Sequence, residues 1–555
     1  MRKLLRQSAI FAALAAAVLV MPMAASSAFG GQAAGAQLLG SDLPLHPDTY
    51  AQAKALLDSA SGKPAVSASG GGSGSTTPHD PIANPSWQGV DENDLAPPDT
   101  TGAIGPNSYI EMINLQMAIY DRNGVKLGAK PLEVLTGSAH FDLSDPQVIW
   151  DPDTNRFYYE VLDVTNDTIF WGFSKTDSPR VLPTDFCNYN ADFGYGGDLP
   201  DYPKLGQTTD FLMIGVNVFT AGAVYADSEV DTISKSVGKH AVSTCPAKST
   251  FKLTRGHALL NADASPTSTP EPAVQTDPSG TGWIVGSADV SNPGSSAAFL
   301  TVFKVTKNAD GSPNIQNPGT AVPVPSYSMP ASATQRNSGT KLDTLDGRLI
   351  HAVSGKDPSR GGALAIWTSH TVDSGFIFTN GDRPSDVRWY EIDPLHATTF
   401  QRGIVSYAQS GPPDASTACT PCTGTDKYVF NGAISPDRKV NGTNQAFGNA
   451  MVLGFTTSSL FDFPAIQMVS KISDNPQSAA VLVQQSLGAD QGFDCFENPN
   501  VPGTCRWGDY AGATPDPAAS PSLPNGRVWL TNEWTSPIVD PLNATWLTWN
   551  WQATP

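Results

Sequence analysis

The chain has 555 residues, and its 33 Lys and Arg against 52 Asp and Glu give a formal charge of −19. So acidic a balance argues against nucleic acid and anionic lipid as partners. Six cysteines, an even number, allow complete pairing if the protein leaves the cytoplasm.

In chain order, residues 1–28 have a basic start (Arg2, Lys3, Arg6), an apolar run over 9–20 and a small-residue end at Ser26, Ser27 and Ala28. This is the layout of a cleaved secretory signal, so a secreted protein is expected, extracellular or periplasmic if the host has an outer membrane. Removal of those three cations takes the charge from −19 to −22. No later apolar run is long enough to span a bilayer, and the last residues (Trp549, Asn550, Trp551) carry no anchor or sorting tail. Residues 29–97 read as a flexible N-terminal tail: 47–60 suit one short helix, and 70–77 (GGGSGSTT) are a linker with nothing to bury.

From Pro98 to the end one pattern recurs: an acidic residue, a strand, a polar turn and a second strand. Its clearest copy is SDPQVIWDPDTNRFYYEVLDV from Ser144; others begin at Pro200, Pro270, Leu342 and Cys505, with weaker copies at Pro98 and Phe430. The leading acids Asp99, Asp145, Asp201, Glu271 and Asp343 are 46, 56, 70 and 72 residues apart, and 166 more separate Asp343 from Asp509. A two-strand unit buries its faces only by stacking on its neighbours. The expected fold is therefore all-β, a single β-propeller over 98–555 with seven four-stranded blades, six or eight being the alternatives. Closure of the ring calls for a terminal strand, supplied either by Trp546 to Trp551 or by Ile119 to Asp121.

The ordered set PPDTTGAIGPNSYIEMIN, SDPQVIWDPDTNRFYY, DYPKLG, LDTLDGRLI, SHTVD with VRWYEI, and RWGDYAGATPDP with VWLTNEW resembles a widespread group of secreted bacterial β-propeller proteins. The resemblance runs from about Pro97 to Trp551 and implies fold and export, while that group has no generally established reaction. The chain departs from the group at 356–366 (KDPSRGGALAI), where similar proteins often carry a His- and Glu-containing stretch; His370 in SHTVD is retained.

Since first strands line a propeller channel, the repeated acids are expected near one of its mouths. As acid/base candidates for glycoside cleavage the sequence offers Asp145, Asp201, Glu271 and Asp509, with Tyr202 and His370 assisting. Ligand-binding candidates from the same segments are Asp99, Lys204, Asp343, Arg506, Trp507 and Tyr510. The competing expectation is that each acid caps backbone N–H groups at the start of its strand and fastens blade to blade, and the regularity of the repeat favours it.

No cofactor is expected, with a calcium ion, held by the channel carboxylates rather than by the turn at Asp151 to Asn155, as the alternative. Asp151, Asp153 and Asn155 resemble the opening of a calcium loop, but the glycine and closing glutamate are missing, and DPDTN is more simply a turn. Eight scattered histidines form no zinc or copper pattern, and His351, in an apolar strand, reads as a core residue. Nearest-neighbour pairing of the cysteines gives Cys187 with Cys245, Cys419 with Cys422 and Cys495 with Cys505, one of 15 connectivities. The function expected is that of an exported, monomeric propeller binding an extracellular ligand, a glycan or a protein, through its loops and channel mouth. The alternative is a secreted glycoside hydrolase or polysaccharide lyase using the channel carboxylates.

Overall fold

The structure, a computed structural model, describes residues 45–59, 80–92, 94–139, 142–375, 383–407, 427–498, 501–540 and 542–555. The expected secretory signal, the Gly/Ser stretch and the expected Cys419/Cys422 pair all lie outside the described residues. Helix α1 spans Pro47–Ser59, and almost everything after it is strand. Among the described residues no helix is long and apolar enough to cross a membrane.

Among the described residues, seven largely antiparallel sheets of four or five strands follow one another along the chain. Strand β1 (Ile82–Gln88) stands apart, and the innermost strands are β2 (Thr101–Ile104), β3 (Leu143–Asp151), β4 (Leu199–Gln207), β5 (Thr267–Pro272), β6 (Leu349–Asp357), β7 (Tyr428–Pro436) and β8 (Gly512–Pro515). Each of these packs against the next, and β8 packs against β2, so the sheets close a ring around a channel. The fold is a β-propeller. Two sheets also exchange backbone bonds directly, because Val274 pairs in parallel with Val353 of β6.

The strands bury both faces, which explains why runs such as FLMIGVNVF (Phe211–Phe219) are apolar without alternation. Between the second and third sheets, for example, Ile149, Tyr158, Trp171 and Phe173 pack on Leu205, Leu212 and Ile214. The sheets approach closely enough that a Cβ on Gly215 would lie 2.0 Å from the Pro270 carbonyl oxygen, so only glycine fits there.

Ring closure corrects the sequence expectation. Strand β9 (Val528–Thr535) and strand β10 (Trp546–Thr554) belong to the last sheet, and Ile119–Asp121 lies in the third strand of the first. The closing strand is β1, paired with β10 from Ile82↔Thr554 to Gln88↔Trp549. It comes from the stretch read as a mobile tail. Pro85 disguises it, yet a proline is tolerated on an edge strand, here inside a break in register between Ala83 and Ser86. Trp87 pins the strand, its ring 5.6 Å from Tyr109, 5.4 Å from Tyr120 and 6.0 Å from Trp529.

One channel mouth is roofed. The connection before β6 and the connection before β8 meet in a small sheet in which Ala333–Thr334 pairs with Lys341–Leu342, and Lys341 pairs in parallel with Thr504. The Cys495–Cys505 disulfide and an apolar knot of Ala333, Leu342, Tyr428, Phe430 and Trp507 hold this cap together. A second disulfide joins Cys187 to Cys245. Helix α1 is docked rather than mobile, for Leu45, Tyr50, Ala53 and Lys54 are all buried, the last three against the cap and the sheets beneath it.

A chain beginning at Asp80 is expected to keep the closed ring, whereas one beginning at Glu92 lacks β1 altogether. Loss of the Trp87 packing alone should cost about 3–5 kcal/mol, read as a lower urea midpoint for the shorter chain.

Candidate functional site

The starts of the inner strands share a backbone feature. Asp99 (φ 49°), Asp145 (φ 53°), Tyr202 (φ 56°), Thr269 (φ 44°), Asn431 (φ 49°) and Asp509 (φ 49°) all adopt the left-handed conformation at or just before an inner strand. In β3, β4, β5 and β7 that residue sits in a bulge against the second strand of its sheet. Aspartate and asparagine tolerate this conformation better than other residues with a Cβ. The recurring acid thus has a conformational cause. The structural register also differs from the sequence alignment: Tyr202, not Asp201, occupies the shared position in the third sheet, and Thr269, not Glu271, in the fourth.

These left-handed residues are fastened by asparagines from the ends of second strands. Asn114 donates from Nδ2 to the Pro97 carbonyl at 2.9 Å and to Asp99, while its Oδ1 accepts the Asp145 N–H of the next sheet at 2.8 Å. Asn217 accepts the Thr269 N–H at 3.1 Å and donates to the Thr269 hydroxyl at 3.1 Å. Asn532 donates to the Asn431 carbonyl at 3.0 Å. The sequence carried this signal as the recurring asparagine of EMIN, GVNVF and LTNEW, and attention to the acids missed it.

Above the strand starts lies a compact polar cluster. Tyr202 and Tyr510 stack with centroids 4.6 Å apart, and the Lys204 ammonium sits 4.1 Å and 3.8 Å from the two rings, a doubly cation–π contact. Tyr510 donates to Asp145 Oδ2 at 2.9 Å, and Tyr202 donates to the Asp509 carbonyl. Arg506 is paired with Asp509, and Arg348, held by both carboxylate oxygens of Asp346, lies 4.5 Å from the Tyr202 ring. Two carboxylates that sequence reasoning did not flag join the cluster: Glu160 on the second strand of the second sheet and Glu533 on β9. Among the described residues, neither oxygen of Glu160 has a hydrogen-bond partner, and Oε2 of Glu271 has none.

Burial sets the protonation of this cluster. It raises Asp99 well above the usual carboxylate range, with the charges of Asp145 and Asp509 adding to it, and raises Glu160 likewise with help from Asp145. Burial pushes Glu271 up to about 8, opposed by the Lys204 ammonium. His351, on β6, bonds through Nε2 to the Ala513 carbonyl at 2.8 Å across to β8, and burial lowers it to about 4 with Lys204 assisting. His351 is thus a bonded core residue, as its apolar strand suggests, and it also lies near the Lys204 ammonium.

The structure does not place every flagged residue here. His370 lies in the second strand of its sheet, its Nδ1 2.9 Å from the Gly347 carbonyl and its Nε2 3.0 Å from the Tyr390 hydroxyl, and burial lowers its pKa to about 3. With both nitrogens engaged in the core, it assists nothing at the channel. Asp343 belongs to the cap, where Oδ1 accepts from Tyr50 and from the Leu345 N–H. Trp507 is part of the apolar knot of the cap and offers no sugar platform. Asp145, Asp201 and Tyr202 lie in the first halves of β3 and β4, Lys204 and Glu271 further along β4 and β5, and Arg506, Asp509 and Tyr510 just before β8, with Asp99 beside β2. None of the twelve flagged residues exceeds 4 % exposure.

The turn at Asp151 to Asn155 is closed by its own groups. Asp151 accepts from the Asp153 N–H and the Thr154 hydroxyl, and the Lys235 ammonium lies 2.7 Å away. Among the described residues one group has metal-ligand spacing, Asp490, Asp494, Cys495 and Cys505, and its two sulfurs are joined to each other. At the far end of the channel, a depression between Trp150, Val274, Thr276, Arg438 and Thr514 holds only about 10 Å³.

Open space lies elsewhere. Beside the cap, the loop between β9 and β10 and the segment after β1 enclose a groove of about 570 Å³ lined by Asp91, Glu92, Ser536, Ile538, Asp540, Thr545, Trp546 and Leu547. Ile538 is 58 % exposed, and Asp540 is kept ionised by the Asn543 amide and the Leu542 N–H.

No protein-family model and no curated protein matches the chain. Several solved structures align in part. A mutant of the Synechocystis apocarotenoid oxygenase aligns at TM-score 0.35 and 8 % identity over 70 % of this chain and 71 % of that one. The endo-arabinase of Bacteroides thetaiotaomicron aligns at TM-score 0.28 and 12 % identity over 65 % and 95 %. A Cellvibrio cellulosa α-L-arabinanase aligns at TM-score 0.26 and 9 % identity over 54 % and 92 %. At these scores the likenesses carry no argument about activity.

Two outcomes are expected. Asn114→Ala removes three bonds, two to the approach to β2 and one to the next sheet at Asp145, and should cost about 2–3 kcal/mol in urea unfolding. Glu271, raised from 4.5 to about 8, binds more protons folded than unfolded between those values, so its contribution is full below 4.5 and is lost as the pH rises through about 8. Glu271→Gln should therefore flatten the fall of Tm across that window, as followed by calorimetry.

Proposed function

We propose that the chain is an exported propeller that binds an extracellular glycan in the groove beside the cap, while the channel acids hold the ring together. One observation carries this reading: the flagged channel residues are shut beneath the cap, whereas the groove is open and mixed in chemistry. Its carboxylates and hydroxyls suit the hydroxyl groups of a sugar ring, and Ile538 and Leu547 suit the ring's apolar face. Export is supported by the leader of residues 1–28 and by disulfides at Cys187–Cys245 and Cys495–Cys505, a pairing typical of oxidising compartments.

The test is retention of the purified protein on a panel of extracellular polysaccharides, with new reducing or unsaturated ends recorded in parallel. Asp91→Asn and Ile538→Ala are expected to weaken retention at least tenfold, about 1.4 kcal/mol, with melting unchanged. Retention indifferent to both changes, or ends that disappear in a folded Glu271→Gln variant, would move the site into the channel.

A further inference from the structure

The N-terminal helix has no part in closing the ring, yet its polar contacts are concentrated on the cap. Tyr50 donates to Asp343 Oδ1 at 3.0 Å. Lys54, fully buried, donates to the Pro330 carbonyl at 2.9 Å, the Thr344 hydroxyl at 3.0 Å and the Leu345 carbonyl at 2.6 Å, and lies 3.4 Å from Asp343. Asp343 is in turn tied to the other half of the cap, its N–H donating to the Cys505 carbonyl at 2.9 Å. Five residues on, the same segment delivers Arg348 to the face of Tyr202. One buried ammonium thus satisfies both the charge and the carbonyls of the stretch that roofs the carboxylate cluster.

We propose that α1 is a releasable latch: docked, it holds the 329–348 segment shut over the channel mouth, and released, it opens that mouth to solvent and ligand. Four features point this way. Strand β1, which closes the ring, begins at Ile82, so α1 can leave with the ring intact. Between α1 and β1 the sequence GGGSGSTT contains no apolar residue, a composition shared by linkers and proteolytic sites. A 13-residue helix is marginal without a packing surface, so undocking also unfolds it and is cooperative. Finally, loss of Lys54 leaves Asp343 buried without its counter-ion, which favours outward movement of the segment over its staying in place. The cluster beneath is equipped for a ligand, since Glu160 and Glu271 retain carboxylate oxygens with no hydrogen-bond partner among the described residues.

The experiment uses the full chain with a protease site inserted after Gly72, compared before cleavage, after cleavage and removal of the N-terminal piece, and after addition of a synthetic 45–59 peptide. Carbodiimide labelling of Glu160 and Glu271 and hydrogen exchange at 341–348 are read by mass spectrometry. Removal of α1 should raise both at least tenfold while exchange in Arg156–Asp163 stays slow, and the peptide should reverse the change. Lys54→Met in the uncleaved chain, which keeps the stem but not the ammonium, should give an intermediate rise. The proposal is overturned if labelling is unchanged once α1 is gone, if exchange rises uniformly through the sheets, or if Lys54→Met labels like the native chain.

Discussion

The propeller depends on how each inner strand begins. A left-handed residue turns the chain into the channel wall, and in three places an asparagine from a second strand bonds it, across to the neighbouring sheet at Asp145 and Thr269 and back to Asn431. Both the steric preference and the hydrogen bonds are local, yet repeated around the ring they fix the relative position of the sheets. The acids that look like a catalytic array are, at Asp99, Asp145 and Asp509, the residues best suited to that backbone conformation. Where the same position holds Tyr202 or Thr269, the surrounding contacts outweigh a strain of about 1–3 kcal/mol. Tyr202 offsets it through its stack with Tyr510 and its place beneath Lys204.

Crowding several carboxylates at strand starts has an electrostatic consequence that the protein meets in two ways. Lys204, Arg348 and Arg506 bring positive charge to the centre, and burial holds Asp99, Glu160 and Glu271 toward their protonated forms. The cap keeps water away from this arrangement, and α1 keeps the cap in place.

Much of the architecture was legible because the repeat of acid, strand, turn and strand reflects a real unit. What failed did so for identifiable reasons. Asp201 and Glu271 were aligned by charge, whereas the shared position is defined by backbone angle, which sequence does not display. Strand β1 was hidden by Pro85, a residue that an edge strand accommodates. His370 drew attention by its motif and proved to be a bonded core residue, as His351 in its apolar strand is. The cap was invisible because it is built from two connections roughly 150 residues apart in sequence with no periodicity to betray their pairing, a contact that only the closed ring creates.

The central claim is that the recurring acids serve backbone conformation rather than chemistry, and Asp99→Asn tests it most directly. Asparagine keeps the left-handed preference and the shape, and it removes the ionisable group. The account expects Tm at neutral pH to be unchanged or higher and polysaccharide retention to be unaltered. A variant that melts like the native protein but no longer retains or cleaves its polysaccharide would contradict it.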